Sequence, residues 1–204
     1  MSRIVARTVA LLGLLGAVVT GVALEGRTNM RVHNVHERRI AAAPAQVGAL
    51  LDTLGSSNDR FWPHENWPAI RLDRTLQVGA VGGHGTEPYE VVSYAPGKHV
   101  RFEYRGGRRQ GYHEFTLEDL GDGHSLLRHT TQAQVPFSIK SAFFWYALTR
   151  PLHNALIEDL LDKAEGQVGH LESPQVWSVT VRWLRQKRGF SPIKKLEDPF
   201  PREG

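Results

Sequence analysis

Residues Ser141–Val168 decide what the rest of the chain is able to build. From Leu152 onward apolar residues recur at helical spacing (Leu152, Ala155, Leu156, Ile157, Leu160, Leu161, Ala164, Val168), while Glu158, Asp159, Asp162, Lys163 and Glu165 occupy the other side. The period predicts one amphipathic helix, with Glu158 and Asp159 on its solvated face. Its 28 residues would reach about 42 Å, enough to lie across a whole antiparallel sheet. Pro151 removes one backbone donor and crowds the preceding turn, so a kink is expected there. An aromatic first section (Phe143, Phe144, Trp145, Tyr146) would then stand at an angle to a regular second one. His153 falls on the apolar stripe, in line with Ile157, Leu160 and Ala164.

Most of what precedes this helix reads as strands. Val32 to Ala41 is a first strand, and Pro44 to Leu54 a short helix with proline at its start and Gly55 at its end. Ser56 to Pro68, with two Trp-Pro pairs, is an irregular aromatic loop that would either plug a small core or cover a pocket. Strands follow at Ile70 to Leu76, Tyr89 to Ala95, His99 to Arg105, Tyr112 to Asp119 and Ser125 to Val135. They are punctuated by Pro96-Gly97, the RGGRRQG stretch and Asp122-Gly123. Gly79, Gly82, Gly83 and Gly85 around His84 indicate close backbone approach rather than a dinucleotide loop, since no helix follows them. Strand, short helix, antiparallel meander and long helix together predict an α+β fold with the sheet curled around the helix.

Both ends fall outside this pattern. Arg3 and Arg7 precede a charge-free run, Thr8 to Leu24, that reads as a signal-peptide core or a short membrane anchor. Its 17 residues make about 25 Å, slightly less than a bilayer core. Residues 1–29 are therefore expected to anchor or export the domain and bring it to a membrane, with a cytoplasmic domain beginning at Met30 as the alternative. After residue 170 a tail carries Trp177, Val181 and Leu184 at helical spacing beside Arg182, Arg185, Lys187 and Arg188. This basic segment (171–204) is expected to dock its tryptophans back on the domain, the alternative being an anionic membrane surface. The chain carries 25 basic and 21 acidic residues, the basic ones dispersed and no nucleic-acid module among them, so nucleic acid is not expected as a partner. Without cysteine there are no disulfides, thiol nucleophiles or thiolate metal sites. Oligomeric state is left open.

Several stretches of residues 31–168 resemble the SRPBCC helix-grip superfamily, which includes START lipid-transfer domains, pollen-allergen-like proteins and aromatic polyketide cyclases. They are Ile40-Ala-Ala-Ala-Pro44, Tyr89-Glu-Val-Val-Ser-Tyr-Ala-Pro-Gly97, Val100-Arg-Phe102, Gly111-Tyr-His-Glu-Phe115 and Leu127-Arg-His129. The WPHENWP, GGHG and RPLHNALIEDLLD segments are similar to those of a bacterial subgroup. The resemblance implies a helix-grip domain over residues 30–170, with a cavity between the concave sheet and the long helix. It implies that the cavity holds a small hydrophobic ligand such as a lipid, polyketide or aromatic compound, which some relatives also convert.

Candidate chemistry rests on histidine, because no G-x-S-x-G is present and His36-Glu37, His64-Glu65 and His113-Glu114 never extend to H-E-x-x-H. Side chains two apart on a strand share a face, so His113 accompanies Phe115, and His129 accompanies Leu127 and Thr131. With His153 on the helix stripe, three imidazoles would converge on one cavity. They would orient a ligand, act as general acid or base in a cyclase- or dehydratase-type reaction, or, with an open fourth position, suit a zinc ion. The structural and orienting roles carry the expectation, and no cofactor or metal is assigned. The expected ligand-binding residues are Trp62, Trp67, His84, Phe102, Tyr104, His113, Phe115, His129, His153 and Ile157. The aromatic loop, the GGHG strand and the first section of the long helix are expected to gate the cavity mouth together.

Overall fold

The structure, a computed structural model, describes residues 26, 28–85, 87–106, 109–169, 171 and 173–188. Seven antiparallel strands form one sheet: β1 (Asn29–Ile40), β2 (Ile70–Leu72), β3 (Val81–His84), β4 (Glu87–Ala95), β5 (His99–Tyr104), β6 (Gln110–Gly121) and β7 (His124–Pro136). Their order is β1-β7-β6-β5-β4-β3-β2, a meander whose last strand pairs with the first. The turn between β6 and β7 needs positive φ at consecutive residues, which Asp122 (51°) and Gly123 (76°) supply. This is the expected α+β helix-grip architecture, with the long helix lying on the inner face of the sheet. The hydrophobic run Thr8 to Leu24 and the tail beyond residue 188 lie outside the described residues, among which no helix is long and apolar enough to cross a membrane.

One face of the sheet is apolar where it meets the helices. Ile40, Val91, Val100, Phe102, Phe115 and Leu127 join Leu156, Ile157, Leu160, Leu161 and Ala164 in a single core. Helix α1 (Pro44–Leu51) adds Val47, Leu50 and Leu51 to it. The aromatic loop is part of this core, since Phe61, Trp62 and Trp67 are all buried. Asp59 fixes its backbone by accepting from the amides of Gly55, Phe61 and Trp62. Phe61 meets Phe115 edge-on at 5.2 Å.

The long helix is continuous but changes pitch. It runs as α2 (Ile139–Phe143), a π-helical turn at Phe144–Thr149, and α3 (Arg150–Val168). Ser138 caps α2, its hydroxyl accepting from the Ser141 amide at 2.9 Å. The expected break at Pro151 takes the form of the wider turn before it, where the Arg150 amide reaches back five residues to Trp145 O. An extra residue in the turn relieves the clash between a proline ring and the preceding turn.

Glu158 and Asp159 are not a solvated face. Glu158 accepts from Arg38 at 3.1 Å and sits 2.6 Å from His36 Nδ1, both on β1. Arg38 also holds Asp162 and Glu165, at 2.9 and 2.6 Å. Asp159 accepts from the indoles of Trp67 (2.7 Å) and Trp177 (2.9 Å), so it pins both the loop and the segment leading to α4 (Val179–Lys187). The Arg185 guanidinium lies 4.3 and 3.9 Å from the ring centroids of Trp67 and Trp177. Trp183 stays exposed.

Candidate functional site

Strand register brings the polar residues of the inner face together. His113 pairs with Phe102 on β5 and with Thr131 on β7, while His129 pairs with Phe115 and, on the other side, with His36. Asn34 pairs with Thr131, so β1 extends the same row. Above it α3 presents His153 one turn before Ile157, on the stripe that the helical period assigns. One ring nitrogen from each of His113, His129 and His153 lies within 4.8 Å of the others.

The contacts inside this cluster are short. His113 Nδ1 is 3.4 Å from His129 Nε2. Thr131 Oγ1 lies between two rings, 3.0 Å from His113 Nδ1 and 3.1 Å from His153 Nε2. Tyr104 Oη is 2.6 Å from His113 Nε2, and Asn34 Nδ2 is 3.3 Å from His153 Nδ1. His129 is fully buried, and its Nδ1 finds no hydrogen-bond partner among the described residues. Nearby, His84 Nε2 meets the Tyr89 hydroxyl at 3.0 Å.

Burial keeps these imidazoles uncharged. Loss of water pushes His153 down to about 3 and His84 to about 4, and at His153 the imidazoles of His36 and His84 and the guanidinium of Arg109 add to the effect. His113 and His129 are lowered well below the usual value by the same burial and then by His153, with His113 adding to the effect at His129. All four are neutral at pH 7.

Two cavities adjoin the cluster. The first, of about 20 Å³, is lined by Trp62, His84, Phe102, His113, Phe115, His129, His153 and Ile157, together with Ile70, Tyr89 and Leu156. That is room for one water molecule. The second, of about 140 Å³, lies between β1, β7 and the π-helical turn, with Met30, Val32, Ala133, Val135, Phe144 and Trp145 as its apolar wall. Tyr104, Arg109, Thr131, Ser141 and Thr149 supply its polar groups. Eight of the ten residues expected to bind ligand thus surround a space too small for one, and Tyr104 alone of the ten reaches the larger pocket. Trp67 lines neither.

The gating arrangement is corrected on the same grounds. The loop and the GGHG strand do meet, the rings of Trp62 and His84 standing tilted with centroids 5.1 Å apart. The aromatic helix section instead walls the other pocket, and Trp67 is tied to Asp159. Sequence reading missed the β1 residues of the site. Met30, Val32, Asn34 and His36 share one face by simple alternation, a signal that was present but offered no motif.

No family model and no curated protein matches the sequence. Solved structures do match in shape. Truncated norcoclaurine synthase from Thalictrum flavum aligns over 70% of this chain and 97% of its own, with 11% identity and a TM-score of 0.53. A point mutant of that enzyme with a transition-state analogue covers 69% and 97%, at 11% identity and a TM-score of 0.51. A Thermobifida fusca protein solved by NMR covers 72% and 99%, at 15% identity and a TM-score of 0.53. The chain therefore has the helix-grip fold of these proteins. At such identities the likeness is one of fold alone.

Proposed function

We propose that the protein binds a small apolar compound, about the size of one aromatic ring, in the pocket between β1, β7 and the π-helical turn. The observation that carries this is the volume of about 140 Å³ together with its wall of Met30, Val32, Val135, Phe144 and Trp145. A dry cavity of about 150 Å³ is known to accept benzene. Sterols and long acyl chains need several times more space, so of the ligand classes that the resemblance implies, the single-ring aromatic is favoured. Tyr104, Thr131 and Ser141 would orient it through hydrogen bonds. Full-length protein titrated with phenol and with a long-chain fatty acid, followed by tryptophan fluorescence compared with that of Trp145→Phe and by native mass spectrometry, tests the reading. Phenol is expected to bind at one per chain, and Ala133→Phe to abolish it. Binding of the fatty acid alone, or of neither probe, would overturn the proposal.

A second reading, acid–base catalysis of a cyclase or dehydratase type, is favoured by the 2.6 Å contact of Tyr104 with His113. The lowered basicity of the rings works against it, because a proton-transfer group is most effective with a pKa near the working pH. Turnover of an aromatic polyketide-like substrate that disappears in His113→Ala would restore it. For residues 1–29 we retain membrane anchoring or export, tested by fractionating cells that express the full chain and sequencing the N-terminus of the product.

A further inference from the structure

The geometry points to a site for one divalent transition-metal ion held by His113, His129 and His153. Two ligands on a tetrahedral zinc ion with Zn–N of about 2.05 Å stand about 3.3 Å apart. His113 Nδ1 and His129 Nε2 are already separated by 3.4 Å. Thr131 Oγ1 touches His113 Nδ1 and His153 Nε2 at 3.0 and 3.1 Å, so nitrogen atoms of all three rings face one small volume.

Without an ion the neutral rings close among themselves: the Thr131 hydroxyl donates to one of the two ring nitrogens it touches and accepts N–H from the other, and one ring N–H joins His113 Nδ1 and His129 Nε2. An ion would replace these contacts with three lone pairs turned on it. The ring protons then move to the outward nitrogens: His113 Nε2 finds Tyr104 Oη ready at 2.6 Å, and His153 Nδ1 meets the Asn34 amide, which turns over to present its oxygen. Ligating imidazoles are usually held in this way by their second N–H. His129 Nδ1, buried and without a partner among the described residues, carries its proton inward at a cost that ion binding offsets.

Ion chemistry narrows the choice. Three neutral imidazoles with no thiolate or carboxylate suit zinc, copper or nickel and exclude calcium or magnesium, which demand oxygen ligands. The site has access through the larger pocket, which Thr131 and Tyr104 also line. It stands on observations separate from the pocket volume, so it survives if phenol fails to bind.

The test uses the full-length chain without a polyhistidine tag, stripped with chelator and titrated with Zn²⁺ by calorimetry and with Co²⁺ by visible absorption. One ion per chain is expected, with the intense d–d bands of four-coordinate cobalt. His153→Ala should weaken binding by about 100-fold or more. A double variant, His33→Ala with His124→Ala, removes two histidines outside the cluster and should bind as the wild type does. A wild-type protein without stoichiometric Zn²⁺, a six-coordinate cobalt spectrum, or affinity unchanged in His153→Ala would each overturn the inference. The cobalt spectrum needs no variant, so a folding defect in His153→Ala leaves the question decidable.

Discussion

Tyr104 Oη lies 2.6 Å from Nε2 of His113, and the two rings meet edge-on with centroids 5.0 Å apart. The phenol stands at the boundary between the two cavities, fixing the ring of His113 while its own face lines the larger pocket. Removing the hydroxyl would leave an imidazole nitrogen without this partner in a dry environment. Tyr104→Phe is expected to cost about 1–3 kcal/mol. Urea unfolding measures it as a lower midpoint with an unchanged m-value. A midpoint equal to that of the wild type would show that His113 does not depend on Tyr104.

Acid should destabilise the metal-free protein through its buried histidines. His153 titrates at about 3 and His84 at about 4 when folded, and at about 6.5 when unfolded. Between those limits the unfolded chain holds protons that the folded one refuses, so stability falls as pH drops below about 6.5. The stabilisation is fully present above that value. Each such group contributes a slope of up to about 1.4 kcal/mol per pH unit, and His113 and His129 act in the same direction. Thermal melts from pH 7.5 to 4.5 should show a steep decline, shallower in His84→Gln. A flat profile over this range would mean that the rings are not desolvated.

Gly82 on β3 faces the backbone of β2 so closely that a Cβ would stand 1.8 Å from the carbonyl oxygen of Arg71. No rotamer relieves a clash between main-chain atoms. Gly82→Ala must push β2 away from β3, and about 2–4 kcal/mol of destabilisation is expected. Gly85, with open space around it, is the control for substitution nearby, apart from the strain of its positive φ. Hydrogen exchange at β2 amides reads the difference locally. Protection unchanged in Gly82→Ala would contradict the packing described.

The sequence made the inner face of the sheet readable because alternation survives any uncertainty about strand ends. Period assigns His113 with Phe115, and His129 with Leu127 and Thr131, to a common face, and the helical stripe carries His153; that the two meet across a cavity comes from the resemblance. What escaped were pairings between distant segments. Glu158 and Asp159 look like solvent residues on a helical wheel, yet their partners, Arg38 and His36 or Trp67, lie about 120 and 92 residues away in the chain. The larger pocket was illegible for a related reason. Its wall depends on where Phe144 and Trp145 stand relative to β1, and that is set by the pitch of the turn before Pro151.

That turn has a consequence of its own for variation in length. A π-helical turn holds one residue more than an α-helical one, and each residue corresponds to about 100° of rotation about the axis. Deleting a single residue such as Ala147 would let the segment revert to regular pitch with Phe144 and Trp145 still over the pocket, because five residues at about 100° each turn the chain as far as the six of the wider segment. The wide turn can thus give up one residue without loss. A second deletion would rotate everything N-terminal to it by about 100° and carry Phe144 and Trp145 off the pocket. Substitutions at Phe144 or Trp145 would tune its wall, whereas that second deletion would remove it.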